Sequence, residues 1–170
     1  MNTDFSVTLA KIIKETGLKE FYMPSDPEEL MVSSMEINRP GLELTGYMDY
    51  FDKDRIIIFG NTEYSYLEQF ANDKQYEILS RMFCQKPPVI IIARNHQPSE
   101  AIVRAAKEFE VPILISPDAT SSMSASLIRT GVVVLASGVS TVASIYYIGM
   151  TKHEREKALG VVLKKLKIHG

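Results

Sequence analysis

Apolar residues arrive along this chain in two distinct rhythms. The first is an unbroken run: Ile56-Ile57-Ile58-Phe59, closed by Gly60, and later Val89-Ile90-Ile91-Ile92-Ala93 after Pro87-Pro88. Runs of that length, rich in branched residues and bounded by breakers, read as strands buried on both faces. The second is helical spacing. Leu9, Ile12 and Ile13 share a face before Gly17. Ile78, Leu79, Met82 and Phe83 share another, with Asp73 as the expected cap. A helix is expected near Thr62 as N-cap, turning Tyr66, Leu67 and Phe70 inward. Another opens at Pro98 with Ile102, Ala105, Ala106 and Phe109 on one side. It is followed by a strand over 111–115, and Asp118 is expected to cap one more helix through Leu127 and Ile128.

Short strands are expected over 18–23 and 30–33, with Pro24-Ser25-Asp26-Pro27 as a turn, and a short helical segment around 42–47. Strand, helix, strand in that order predicts parallel pairing with a right-handed crossover. The fold class expected is α/β: a three-layer α/β/α domain on a mixed, mainly parallel sheet. The domain is placed at residues 1–128, with 129–170 as a divergent C-terminal extension packed on it.

That extension has its own pattern. No charged residue occurs from Thr130 to Thr151, a length able to span a bilayer. Gly131, Gly138 and Gly149, with Ser137, Ser140, Thr141 and Ser144, break it into pieces. A strand over 132–135 plus a packed helix is therefore preferred to a membrane helix. Thr151-Lys152-His153-Glu154 reads as a capping box. It opens a helix with Ala158, Leu159, Val162, Leu163 and Leu166 on one side. Residues 152–167 carry six basic side chains against two acidic ones, in a chain of net charge −2. That overall balance gives no case for nucleic acid. The basic segment suits either a solvated helix face or an acidic partner.

Candidate chemistry is sparse. Cys84, the only cysteine, sits at the end of a helical pattern and reads as a buried, inert thiol in a reducing compartment. No secretory signal pattern opens the sequence. No G-x-x-x-x-G-K-[ST] or G-x-G-x-x-G occurs, and His96, His153 and His169 lack metal-ligand spacing, so neither a catalytic set nor a metal site is assigned. Two loops follow predicted strands, where open α/β sheets bind ligands. Arg94, Asn95 and His96 stand in the first, and Asp118, Thr120 and Ser121 in the second. Each has an ordinary surface or capping explanation beside that of a small-anion site. Asn38-Arg39-Pro40-Gly41 reads as a turn in which Gly41 permits a positive φ and Arg39 clamps a carboxylate, with Glu43 as the nearby partner; ligand recognition is the other reading.

The run from Ile37 through Asn38, Arg39, Pro40, Gly41, Leu42, Glu43, Leu44, Thr45 and Gly46 to Tyr47-Met48-Asp49-Tyr50-Phe51 carries a resemblance. Asp54-Arg55-Ile56-Ile57-Ile58-Phe59-Gly60 and Thr62-Glu63-Tyr64-Ser65-Tyr66-Leu67 follow in order, then Pro87-Pro88-Val89-Ile90-Ile91-Ile92-Ala93-Arg94 and Val111-Pro112-Ile113-Leu114. Over residues 5–128 the chain resembles the N-terminal domain of bacterial HPr kinase/phosphorylase. The resemblance implies a fold shared with the N-terminal domains of some peptidoglycan-synthesis ligases. It also implies a non-catalytic accessory role, in assembly or regulation, beside a bifunctional cytoplasmic serine kinase/phosphorylase of carbon catabolite control. The complete family enzyme uses ATP or pyrophosphate with magnesium in a separate P-loop domain and forms a hexamer. No cofactor is expected for this chain. Its implied partners are further copies of itself, a C-terminal kinase domain, and the phosphocarrier HPr of the phosphotransferase system. The Asp118–Ser122 region is also similar to the small regulatory domain named for an Asp-Arg-Thr-Gly-Gly motif, which is absent here. A standalone small-anion sensor and a membrane-tethered adaptor remain as alternatives. Whether the chain is a fragment or a standalone protein is left open.

Overall fold

The computed structural model describes residues 6–120 together with 122, 127 and 129. The expectations for Ser121, Ile128 and the extension, including the strand over 132–135 and the capping box at Thr151, lie outside the described residues.

The isoleucine runs become the middle of a sheet. Strand β1 (Val7–Thr8) pairs antiparallel with β3 (Met31–Val32) in a separate two-stranded ribbon. The main sheet has five strands in the order β2 (Lys19–Tyr22), β7 (Ile113–Ile115), β6 (Ile90–Ile92), β5 (Ile56–Phe59) and β4 (Ile37–Asn38). Strands β4 to β7 are mutually parallel along this order, and β2 closes one edge antiparallel to β7. The sheet is thus mixed and mainly parallel, as the strand–helix–strand order requires.

Burial follows the two-residue period of the strands. Ile57, Phe59, Ile90, Ile92, Ile113 and Ile115 join a core with Leu79, Met82 and Phe83 of α3 (Asn72–Phe83) and Ile102, Ala105 and Ala106 of α4 (Glu100–Phe109). Ile56, Ile58, Ile91 and Leu114 alternate onto the opposite face and are equally buried. Both faces are therefore covered, which explains runs without alternation.

Helix ends correct several expectations. Helix α1 covers Leu9–Thr16 and not the expected 5–16, because Val7 and Thr8 are in the ribbon and the Thr8 hydroxyl accepts from the Lys11 N–H. Helix α2 (Asn61–Leu67) is capped at Gly60, not Thr62. Helix α3 is capped at Ala71; Asp73 lies inside its first turn, where the positive helix end favours a carboxylate. Helix α4 is capped by Ser99, whose Oγ accepts from the Ile102 N–H, so Pro98 lies just outside. Cys84 is exposed rather than buried. It follows the inward pair Met82 and Phe83, and one further helical step turns its side chain outward. No helix among the described residues is long and apolar enough to cross a membrane.

Candidate functional site

Parallel strands end on the same side, so the segments after β4, β5, β6 and β7 gather at one sheet edge. Those segments contain Arg39, Gly60, Arg94 and Thr120 respectively. The first, second and fourth of them meet at Gly60. A Cβ built there would stand 2.7 Å from Thr120 Oγ1, 3.4 Å from Glu63 Oε2 and 3.7 Å from Arg39 Nη2. A hydroxyl, a carboxylate and a guanidinium thus converge over a residue that must lack a side chain.

Glu63 organises this point. Its side chain is only 3% exposed, yet both carboxylate oxygens are engaged. Oε2 accepts from the Gly60 N–H at 2.8 Å, half of a capping box whose other half glycine cannot supply. Arg39 Nη2 reaches Oε1 at 3.1 Å and Oε2 at 3.2 Å. Arg39 therefore pairs with Glu63 across 24 residues and not with Glu43, as sequence proximity had led us to expect. Glu43 instead accepts from Asn38 Nδ2 at 2.9 Å. The Arg39 side chain is 48% exposed, so part of its guanidinium faces water.

The turn itself is tightened by the Gly41 N–H donating to the Arg39 carbonyl at 2.8 Å around buried Pro40. The positive φ falls at Gly46 (102°), not at Gly41. A side chain at Gly46 would meet only the flexible end of Arg81, so it is the positive φ that favours glycine there.

The two loops after β6 and β7 are laced together by backbone. Arg94 N–H donates to the Asp118 carbonyl at 3.0 Å and Asn95 N–H to the Ser116 carbonyl at 2.8 Å. Arg94 and Asn95 both hold left-handed φ values, 60° and 53°, a conformation that costs non-glycine residues energy. Asp118 stands two positions before the first helical residue, Thr120, and its N–H donates to Ser116 Oγ. His96 leaves this loop for α2: its Nε2 lies 2.8 Å from Asn61 Oδ1, and its ring stacks on Tyr64 at 4.8 Å. Tyr64 in turn donates to the Gln97 carbonyl at 3.2 Å. Burial, with the nearby Glu68 charge, pushes the Tyr64 hydroxyl pKa far above its usual value.

The geometry therefore brings Arg39 together with Thr120, and separately binds the Arg94–His96 loop to the Ser116–Asp118 loop and to α2. Asn38, Glu43 and Gly46 belong to the turn after β4. Sequence reading passed over Gly60, Asn61, Glu63 and Tyr64 as site residues. The three-residue spacing of Gly60 and Glu63 was the available signal, masked because a capping box is sought with Ser or Thr at its head. Among the described residues no group of three His, Cys, Asp or Glu could hold a metal ion.

A mainly parallel sheet with a polar cluster at its strand ends defines an α/β domain of the open-sheet type. The model of the HPr serine kinase N terminus matches residues 7–130, and the chain belongs to that family. HPr kinase/phosphorylases of Streptococcus pneumoniae, among them those of strain JJA and of a serotype 4 strain, are 37% identical over 122 residues. That alignment covers 72% of this chain and 39% of each relative, so the chain matches well under half of their length. Among solved structures, the CBS and DRTGG domains of the regulatory region of Clostridium perfringens pyrophosphatase, complexed with the activator diadenosine tetraphosphate, superpose with a TM-score of 0.53. Identity there is 15%, with 72% of this chain and 46% of that chain covered, a likeness of fold alone.

Proposed function

We propose that this chain is a non-catalytic accessory domain, serving assembly or regulation, of an HPr serine kinase/phosphorylase system in bacterial carbon catabolite control. The observation that carries this reading is the family match over residues 7–130 in a sequence with no phosphate-cradling P-loop anywhere in its 170 residues. Phosphoryl transfer depends almost wholly on positioning the phosphates and magnesium. The residues at the strand ends do not fit that task. The carboxylate of Glu63 is spent on Arg39 and Gly60, and the amides of Arg94 and Asn95 are spent on carbonyls. No step through ATP, pyrophosphate or magnesium is therefore assigned to this chain. In this reading it works in the cytoplasm, and its partners are further copies of itself, a catalytic kinase domain and HPr.

The test has two arms. Purified chain given ATP, magnesium and HPr should yield no phosphoserine above background. Added in trans to a catalytic HPr kinase domain, it should associate with that domain or change its rate of HPr phosphorylation. Phosphoserine in the first arm, or no association and no rate change in the second, would overturn the reading.

A further inference from the structure

The chain after Pro40 is firmly held yet turns large apolar groups to water. Met48 and Phe51 pack against the core, and Leu44 is buried within it. Hydrogen bonds fix the loop between them: Tyr47 N–H to the Leu42 carbonyl at 3.3 Å, and Phe51 N–H to the Met48 carbonyl at 3.0 Å. Anchoring those residues leaves Leu42, Tyr47 and Tyr50 outside, at 66%, 45% and 86% exposure. The two tyrosine rings stand together, centroids 6.2 Å apart. Among the described residues only Phe21 and Met31 are comparable exposed apolar groups, and they lie elsewhere in the sequence. Clustered, ordered apolar surface of this kind marks contact sites, and tyrosine is prominent among residues that carry binding energy.

The same loop is acidic. Asp49, Asp52 and Asp54 are exposed against Lys53, and Asp52 is already engaged by Arg55. Asp49 and Asp54 have no ion-pair partner among the described residues. Tyrosine faces attract cations as well. An apolar centre whose exposed surround sets Asp49 and Asp54 against Lys53 alone is complementary to one kind of protein surface: leucine or valine anchors flanked by lysine and arginine.

We propose that the loop over residues 42–54 is a docking platform for a cationic amphipathic segment of another polypeptide. Leu42, Tyr47 and Tyr50 receive its apolar side chains, and Asp49 and Asp54 meet its basic ones. This goes beyond the accessory reading and does not rest on it, since it concerns direct binding and no phosphoryl transfer.

The test uses the full chain and a designed synthetic peptide of the required chemistry, unrelated in sequence to this chain, with leucine and valine at helical spacing interleaved with lysine. Titration followed by fluorescence anisotropy should show saturable binding that weakens steeply with salt. Tyr50→Ala combined with Leu42→Ser should weaken it at least about tenfold. Asp49→Lys combined with Asp54→Lys should do the same, and a peptide with its lysines replaced by glutamate should not bind. Glu28→Lys with Glu29→Lys, changed elsewhere on the surface, should leave binding unaltered. These positions are exposed, and circular dichroism confirms that each variant folds. Absence of saturable binding, or equal weakening in the Glu28/Glu29 control, would overturn the proposal. Self-association of the chain that is lost with Tyr50→Ala while the peptide fails to bind would also overturn it, in favour of a second copy as the occupant.

Discussion

The centre of the sheet and its polar edge are built on opposite logics. At the centre, Ile57 pairs in register with Ile90 and Ile91 with Leu114, and every one of these side chains is fully buried without a polar atom to satisfy. Stability there comes from apolar area removed from water, and a neighbour of similar volume can substitute at small cost. At the edge, Glu63 is nearly as deeply buried, but its place depends on two particular donors, Arg39 and the Gly60 N–H. Removing one donor there leaves a charge or dipole stranded, which costs more than the pair contributes in its presence. The centre is tolerant of identity and intolerant of lost volume. The edge is tolerant of volume only where Gly60 permits, and intolerant of lost partners.

The sharpest test of the centre is truncation. Ile91→Ala removes most of a fully buried side chain on the middle strand, and should cost about 3–5 kcal/mol by chemical denaturation. Ile91→Val should cost about 1 kcal/mol. If the two variants lose equally, the site tolerates a cavity and the centre is not close-packed.

At the edge the expected losses are smaller but depend on partner rather than size. Glu63→Ala should cost about 2–3 kcal/mol, because a buried N–H at Gly60 loses its acceptor as the pair is lost. Arg39→Ala should cost about 1–3 kcal/mol, discounted because Arg39 is half exposed and water can reach the carboxylate it leaves. In the double variant the losses should fall short of additive, since each single change breaks the same pair. Additive losses would mean that the 3.1 Å contact contributes nothing of its own.

The same contrast decides what could be read from sequence. Strands β5 and β6 were legible because burial on both faces is written into consecutive residues. Helices α3 and α4 were legible because their apolar faces repeat every three or four positions. The caps of α2 and α3 were each misplaced by two positions, because a glycine and an alanine head these helices without a side-chain acceptor to announce them. Family membership was legible in the Asn38–Phe51 run. The partner of Arg39 was not. Glu43 is four residues away and Glu63 is 24, and only parallel pairing of β4 with β5 brings the second within reach. Cys84 was misjudged because a single helical step separates the buried face from solvent at a helix end. The exposed tyrosines were equally ambiguous, since aromatic residues alternate between anchor and display within five positions, and only the backbone turn decides which is which.

The smallest effect lies where the two regions meet, at Tyr64. Its ring is buried with the core, while its hydroxyl reaches the Gln97 carbonyl beside the His96 loop. Burial first, and the Glu68 charge second, raise its pKa above the ordinary tyrosine value. In the folded state the hydroxyl therefore keeps its proton at pH values where the unfolded chain releases it. The sign follows from linkage: the stabilising contribution is fully present below about pH 10, the unfolded value, and is lost as pH climbs beyond it towards the folded one. Tyr64→Phe removes both the titration and one hydrogen bond. At pH 7 the variant should be less stable by about 0.5–1.5 kcal/mol, the usual net worth of such a bond. Between pH 10 and 11 the wild-type chain should lose stability faster than the variant, so the two denaturation midpoints should approach each other. Midpoints that keep a constant separation from pH 7 to 11 would place the Tyr64 hydroxyl in contact with water, and would move it from the buried centre to the edge.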